Sequence, residues 1–228
     1  MILSTIKHTS DTFTQGLIYY KGYLYESSGL YNKSFIQKYI SKSKIVRYYF
    51  PDNIFIEGLT IINDYIICVS WKQSNIYYFD LNLNLLKYNK FILDECWGAT
   101  TDGNFLIISN GKDEIYYINL DTNKIIKKIN ISYNGIPIYN INALSYANNL
   151  IYANIWKTNI IICIDPNKSK VIKYWNFDRY FSLKNNNKKI KDRSNNESIL
   201  NGIAHIEKNR FFITGKNWKL IYEIELTI

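Results

Sequence analysis

The chain has 228 residues, 47% of them hydrophobic and 16% aromatic, which is enough for one sizeable core and, with Tyr alone contributing 21, weighs towards strands. Net charge is +9, but the lysines are scattered and only 184–193 forms a dense basic block without a nucleic-acid motif beside it, so nucleic acid is not an expected partner. Three cysteines without a CxxC pair exclude a full disulfide framework, two distant histidines leave no metal or other cofactor to expect, and no apolar run nears the ~18 residues of a membrane span.

Residues 1–6 are too short for a signal peptide, and a soluble chain is expected. Residues 2–7 read as a strand with no partner nearby in sequence. A local pattern then starts and keeps returning: an apolar residue, a variable residue, a small residue and another apolar one. It occurs at Phe13-Thr14-Gln15-Gly16-Leu17, Phe55-Ile56-Glu57-Gly58-Leu59, Glu95-Cys96-Trp97-Gly98-Ala99, Asn140-Ile141-Asn142-Ala143-Leu144 and Ile199-Leu200-Asn201-Gly202-Ile203. The small residues are 42, 40, 45 and 59 positions apart. Periods of about 40–45 residues with several strands each are the mark of propeller blades.

Each unit has the same internal order. A first strand meets a turn at Lys21-Gly22, Asn63-Asp64, Asp102-Gly103, Asn148-Asn149 or Lys208-Asn209. Such residues at equivalent offsets predict hairpins. Second strands follow at 23–26, 65–70, 105–109, 151–155 and 210–214, and third strands at 34–39, 75–80, 114–120, 159–165 and 220–226. Outer strands are expected at 44–50, 85–91, 124–131 and 170–177, with none after 226. The economical solution is an all-β, five-bladed propeller of four antiparallel strands per blade, a single domain over 1–228, in which the N-terminal strand completes the last blade and hides its edge. The long last step comes from 178–198, polar and rich in Lys and Asn, which is expected to be a flexible loop or insertion.

The innermost strands of a propeller surround its axis, so the variable positions should ring one mouth of the channel: Gln15, Glu57, Trp97, Asn142 and Asn201. A second ring is expected 14 residues on, at Gly29, Trp71, Gly111 and Trp156, with Lys216 one residue later in the fifth unit. The mouth would hold a carboxylate, a lysine, amides and three tryptophans. A carboxylate between apolar neighbours must be paired, desolvated or at work, because an unpaired buried charge is costly. Glu57 could equally pair with Lys72 or satisfy a turn. The tryptophans could be packing between blades, and Asn142 and Asn201 could be turn formers. Glu26 reads as a structural carboxylate at a strand end, and Trp175 and Trp218, outside the repeated positions, as packing.

These residues also carry a resemblance. The stretches FTQGL (13–17), YESSGLY (25–31), EGLT (57–60), Trp71-Lys72, WGATTDG (97–103), YANIWKT (152–158), LNGIA (200–204) and TGKNW (214–218), with Asn142, resemble the plant and bacterial type glutaminyl cyclases along the whole chain. The resemblance implies a five-bladed glutaminyl-peptide cyclotransferase that cyclises N-terminal glutamine to pyroglutamate and releases ammonia without a catalytic metal. It implies Glu57 as the acid/base, Trp71, Trp97 and Trp156 as pocket walls with Phe13 and Phe55 beside them, and Gln15, Asn142 and Lys216 as polar contacts. Asn142 or Lys216 would steady the oxyanion, and Asn201 would join the substrate-binding set. It favours a secretory or periplasmic setting, peptides or proteins with N-terminal Gln as partners, and a monomer.

Two stretches depart from the pattern. Where the family tends to read LNELEY, this chain has Ile141-Asn142-Ala143-Leu144-Ser145-Tyr146, and Ser109-Asn110-Gly111 stands where Ser-Asp-Gly is commoner. The competing reading is a non-catalytic propeller that serves as a peptide or protein binding platform.

Overall fold

The computed structural model describes residues 2–9, 11–41, 43–181 and 198–228. Hairpins form where the turn residues demand them. Lys21 and Gly22 (φ 48° and 84°), Asn63 and Asp64 (50° and 65°), and Asn148 and Asn149 (52° and 62°) occupy consecutive left-handed positions. Paired positive φ values give turns whose twist matches that of the strands they join.

The first strand, β1 (Ile2–Lys7), waits for a partner from the far end of the chain. Blade 1 is β2 (Thr14–Tyr20), β3 (Tyr23–Ser28), β4 (Phe35–Tyr39) and β5 (Ile45–Tyr49). Blade 2 is β6 (Ile56–Ile62), β7 (Tyr65–Ser70), β8 (Asn75–Phe79) and β9 (Leu85–Lys90). Blade 3 is β10 (Ala99–Thr101), β11 (Leu106–Ser109), β12 (Glu114–Asn119) and β13 (Lys124–Asn130). A small hairpin of β14 (Ser132–Tyr133) and β15 (Ile136–Pro137) follows, which sequence reasoning did not foresee. It extends the outer edge of blade 4, where β14 pairs in parallel with β19. Blade 4 itself is β16 (Ile141–Ala147), β17 (Leu150–Ile155), β18 (Ile160–Asp165) and β19 (Lys170–Asn176). After a short helix, α1 (Asp178–Phe181), blade 5 runs β20 (Leu200–Glu207), β21 (Arg210–Gly215) and β22 (Leu220–Glu225). β1 completes it, antiparallel to β22 from Ile2 opposite Ile224 to Lys7 opposite Leu220. The five-bladed propeller closed by the N-terminal strand is therefore the fold.

Two boundaries differ from expectation. Residues 178–181 are helical rather than loop, because Phe181 is buried against Trp218 and Tyr222 of blade 5. The remainder of the expected loop, 182–197, lies outside the described residues. The inner strand of blade 3 begins only at Ala99, after Trp97, for a reason that bears on the site.

Inner strands are buried almost throughout, whereas β9 is exposed along its whole length. The core is five apolar layers, one between each pair of neighbouring blades. Ile36, Phe50, Leu59 and Phe79 fill blades 1–2, and Ile67, Val69, Leu106 and Ile118 fill blades 2–3. Ile115, Ile141, Ile151 and Ile164 fill blades 3–4, Tyr152, Ile161, Phe211 and Ile224 fill blades 4–5, and Leu17, Leu24, Ala204 and Ile221 fill blades 5–1. Trp175 stacks on Tyr152 in this packing, as expected of it.

A polar lock closes the ring beside β1. Glu26 is fully buried and accepts hydrogen bonds from Thr14 Oγ1 (2.6 Å), Gln37 Nε2 (2.7 Å) and Tyr39 Oη (2.8 Å). His8 Nε2 lies 2.8 Å from the same carboxylate, and His8 Nδ1 lies 2.7 Å from the Trp218 carbonyl. Both ring nitrogens face acceptors, so the imidazole is held as the doubly protonated cation. Burial opposes that charge and the Glu26 carboxylate outweighs it, raising the His8 pKa. The structural role expected for Glu26 is thus the one it has. Among the described residues no helix is long and apolar enough to cross a membrane.

Candidate active site

In four of the five repeats the variable position sits at a fault in the inner strand. In β2, Thr14 pairs with Ser28 and Gly16 with Ser27, so Gln15 is an extra residue. The same interruption falls between Ile56 and Leu59, between Ile141 and Leu144, and between Leu200 and Ile203. A β-bulge unpairs a residue and re-aims its side chain, here at Gln15, Glu57, Asn142 and Asn201. The residues opposite reach across to the next blade: Ser27 Oγ donates to the Glu57 carbonyl (2.5 Å), Ser109 Oγ to the Asn142 carbonyl (2.8 Å), and Asn154 Oδ1 accepts from Gly202 N (3.1 Å). At Gly16, Gly58 and Gly98 the small residue beside the variable one has a matching reason. A Cβ on Gly58 would lie 2.8 Å from the Trp97 carbonyl oxygen, which accepts the Gly58 N–H at 2.7 Å.

The second ring is in register too. Gly29 N bonds to Phe13 O (3.0 Å), Trp71 N to Phe55 O (2.9 Å), Trp156 N to Asn140 O (2.9 Å) and Lys216 N to Ile199 O (2.9 Å). Four blades therefore make the same kind of closure, one residue longer at Lys216. Blade 3 differs: Trp97 N bonds to Ser109 O (2.8 Å), and Cys96 N reaches over to Trp71 O of blade 2 (3.0 Å). That cross-blade bond draws the chain before β10 sideways and shortens the strand.

Three ring residues form one hydrogen-bonded chain. Asn201 Nδ2 donates to Thr14 O (2.9 Å) and to Gln15 Oε1 (3.1 Å), and Gln15 Nε2 donates to Glu57 Oε1 (2.9 Å). The direction is fixed along the chain: the Gln15 oxygen faces an N–H, so its nitrogen faces Glu57. Glu57 is 6% exposed, and burial pushes its pKa up from 4.5 to about 8, with Lys216 opposing and Glu95 adding to the rise. At neutral pH Glu57 holds its proton, and since Oε1 is occupied as an acceptor, the proton belongs on Oε2. Lys216, 5% exposed, places its ammonium 4.3 Å from the centre of the Phe13 ring.

The aromatic residues at and beside the two rings meet one another in pairs. Phe55 and Trp71 lie 5.4 Å apart, Trp97 and Trp156 5.3 Å apart edge to face, and Tyr31 packs on Phe55 at 5.4 Å. A Cβ on Gly29 would collide with the Phe55 ring and come within 3.0 Å of Gln15, so that glycine is required by close approach. Glu95 Oε1 accepts both indole N–H groups, from Trp71 (2.9 Å) and Trp97 (3.0 Å). Asn142 is buried, and its Oδ1 has no hydrogen-bond partner among the described residues.

A sequence description of the glutamine cyclotransferases matches residues 1–226. The chain belongs to the glutamine cyclotransferase family. It is similar to a glutaminyl-peptide cyclotransferase of Arabidopsis thaliana, 33% identical over 230 residues that span 99% of this chain and 70% of that one. A crystal structure of Myxococcus xanthus glutaminyl cyclase matches with a TM-score of 0.85 at 25% identity, over 98% of this chain and 94% of that one. A Staphylococcus aureus virginiamycin B lyase shares the fold alone, at 14% identity and a TM-score of 0.52, over 93% of this chain and 66% of that one.

For a glutamine cyclotransferase, two departures in sequence prove locally absorbed. Asn110 Oδ1 still accepts the Lys112 N–H of the turn (3.1 Å), as an aspartate would, while its amide donates to Glu114 (3.1 Å). Near Asn142, Ser145 Oγ accepts His205 N of blade 5 (3.1 Å), so this stretch fastens blades 4 and 5 without the missing carboxylates. Two residues of the site escaped sequence reasoning. Asn154 faces a bulge from the second strand; it lies within the YANIWKT stretch, of which only Trp156 was given a role. Glu95 holds the repeat position filled elsewhere by Phe13, Phe55, Asn140 and Ile199, and its being the charged one of the five was the available signal.

Proposed function

We propose that this protein cyclises the N-terminal glutamine of peptides to pyroglutamate with release of ammonia, and that Glu57 carries the proton. The observation that carries the assignment is a buried carboxyl group, protonated near neutrality, set among Gln15, Lys216 and the indoles of a glutamine cyclotransferase. The α-amine of a peptide has a reference pKa of about 7.7–8.0, close to that of Glu57, so amine and acid exchange a proton at little cost.

Trp71, Trp97 and Trp156, with Phe13 and Phe55, would hold the glutamine folded so that the amine faces its own γ-carbonyl carbon; such orientation is worth several orders of magnitude in rate. The amine nitrogen bonds to that carbon and the carbonyl electrons move to oxygen. Asn142 and Lys216 donate to the oxyanion. Glu57 supplies a proton to the departing amide nitrogen and takes one from the attacking nitrogen. The C–N bond breaks, ammonia leaves, and Glu57 ends in its starting state. Gln15, tied to Asn201, keeps Glu57 Oε1 occupied so that Oε2 alone does the transfer.

The test is ammonia release from a Gln-initiated peptide together with a product lighter by one ammonia. Turnover that survives a chelator and collapses in Glu57→Gln is the expected result. Full activity in that variant removes Glu57 from the mechanism, and absence of product with the wild-type protein leaves only a binding platform.

A further inference from the structure

Among the described residues Glu95 is the carboxylate that acts on Glu57, and its neighbours explain how it comes to be there. In four blades the residue two before the variable position uses its carbonyl to accept the second-ring N–H. In blade 3 the chain is instead drawn towards blade 2 by the bond from Cys96 N to Trp71 O. The displacement sets the Glu95 side chain between an indole of blade 2 and an indole of blade 3, and a single oxygen receives both N–H groups at 2.9 and 3.0 Å. Charge-assisted hydrogen bonds of this kind are about twice as strong as neutral ones. Two walls that belong to different blades are thereby pinned to one point.

We propose that Glu95 is a positioning residue, which couples the Trp71 and Trp97 walls of the pocket and sets a fixed negative charge beside Glu57. This rests on the proposed cyclase function. Among the described residues, the groups that face Glu57 are Lys216 after β21, neutral Gln15 in β2, Glu95 before β10, and the Cys96 thiol, whose pKa is pushed up by burial so that it stays neutral. The acid therefore sits between a cation and an anion. Lys216 pulls its proton off and Glu95 keeps it on, with burial the largest influence of all. Removing the Glu95 charge leaves Lys216 unopposed and makes Glu57 more acidic. The carboxylate also favours an incoming α-ammonium, which must deliver its proton before attack.

Two variants separate the two roles. Glu95→Gln retains a carbonyl oxygen for both indoles and loses the charge; Glu95→Ala loses both. In Glu95→Gln, KM should stay within about twofold of wild type while the limb of the kcat/KM pH profile set by Glu57 moves down by about half a unit or more. In Glu95→Ala the same shift should come with a KM raised about fivefold or more and altered tryptophan fluorescence. Should Glu95→Ala not fold, the pH profile of Glu95→Gln decides. An unmoved profile in Glu95→Gln overturns the electrostatic role, and an unchanged KM in folded Glu95→Ala overturns the coupling of the walls. Wild-type protein that forms no pyroglutamate would defeat the functional assignment instead, a result distinguishable from either.

Discussion

Replacing Glu57 by glutamine should destroy activity and, at alkaline pH, make the protein more stable. The side chain keeps its shape but no longer titrates. In the folded chain, burial raises the carboxyl pKa from 4.5 to about 8. The folded state then holds the proton more tightly than the unfolded chain does, so the stabilisation from protonated Glu57 is complete below about pH 4.5, fades as pH rises, and is lost above about 8. A rise from 4.5 to about 8, at about 1.36 kcal/mol per unit, is a cost of about 5 kcal/mol at pH 9, against about 1 kcal/mol at pH 5. The Lys216 attraction is already contained in that net rise, whereas the Gln15 hydrogen bond is no longer to a charged group, which offsets about half the gain. The variant should therefore melt about 4–10 °C above wild type at pH 9 and close to it at pH 5, taking about 2–4 °C per kcal/mol for a chain of this size. Thermal melts of both proteins at the two pH values, with ammonia release measured on the same samples, supply the data. An equal shift at both pH values would refute the argument, because the gain would then have nothing to do with ionisation.

Lys216→Met should move the Glu57 pKa further up and lower kcat by about 10²–10³-fold, the usual loss of an oxyanion donor; an acid-shifted pH profile would contradict the placing of that charge. Gly29→Ala should press the Phe55 ring and Gln15 out of place, costing about 1–3 kcal/mol in stability and raising KM; urea titration and steady-state kinetics report each, and unchanged values of both would mean that the loop shifts freely. His8→Ala should cost about 3–5 kcal/mol in denaturant unfolding, because Glu26 is left charged and buried without its cation. A loss under about 1 kcal/mol would show that Thr14, Gln37 and Tyr39 hold the carboxylate by themselves.

The fold was legible because a radial repeat writes its register five times. The turn pairs, the alternation and the small residue beside Gln15, Glu57, Trp97, Asn142 and Asn201 all recur, and at Gly16, Gly58 and Gly98 the structure supplies the reason for the last: the next blade's backbone lies against it. The bulges at four of these positions could not be read, since one unpaired residue in a strand leaves no composition signal. At the second ring the closing hydrogen bond has one span at Gly29, Trp71 and Trp156 and is one residue longer at Lys216, which is the offset seen in the sequence; Gly111 does not share it. Blade 3 broke the pattern through a contact between Cys96 and Trp71, 25 residues apart along the chain, and local sequence does not encode such a contact. The sign of the Glu57 shift was likewise hidden, because burial and Lys216 push in opposite directions and the balance is a matter of distance. The β14–β15 hairpin was missed because two-residue strands have no period to detect.

The seam between blades 5 and 1 has a kinetic corollary. Asn201 of blade 5 is bonded to Gln15 of blade 1 and through it to Glu57, and Ser4 Oγ, on the strand that completes blade 5, meets Glu223 at 219 residues' separation. Loop closure over so long a span is among the slowest contacts a chain can make. Four blades can zip up locally while the acid still lacks Lys216, so catalytic competence should arrive in refolding after most of the β-structure signal, and its appearance would time the moment at which the two ends of the chain are joined.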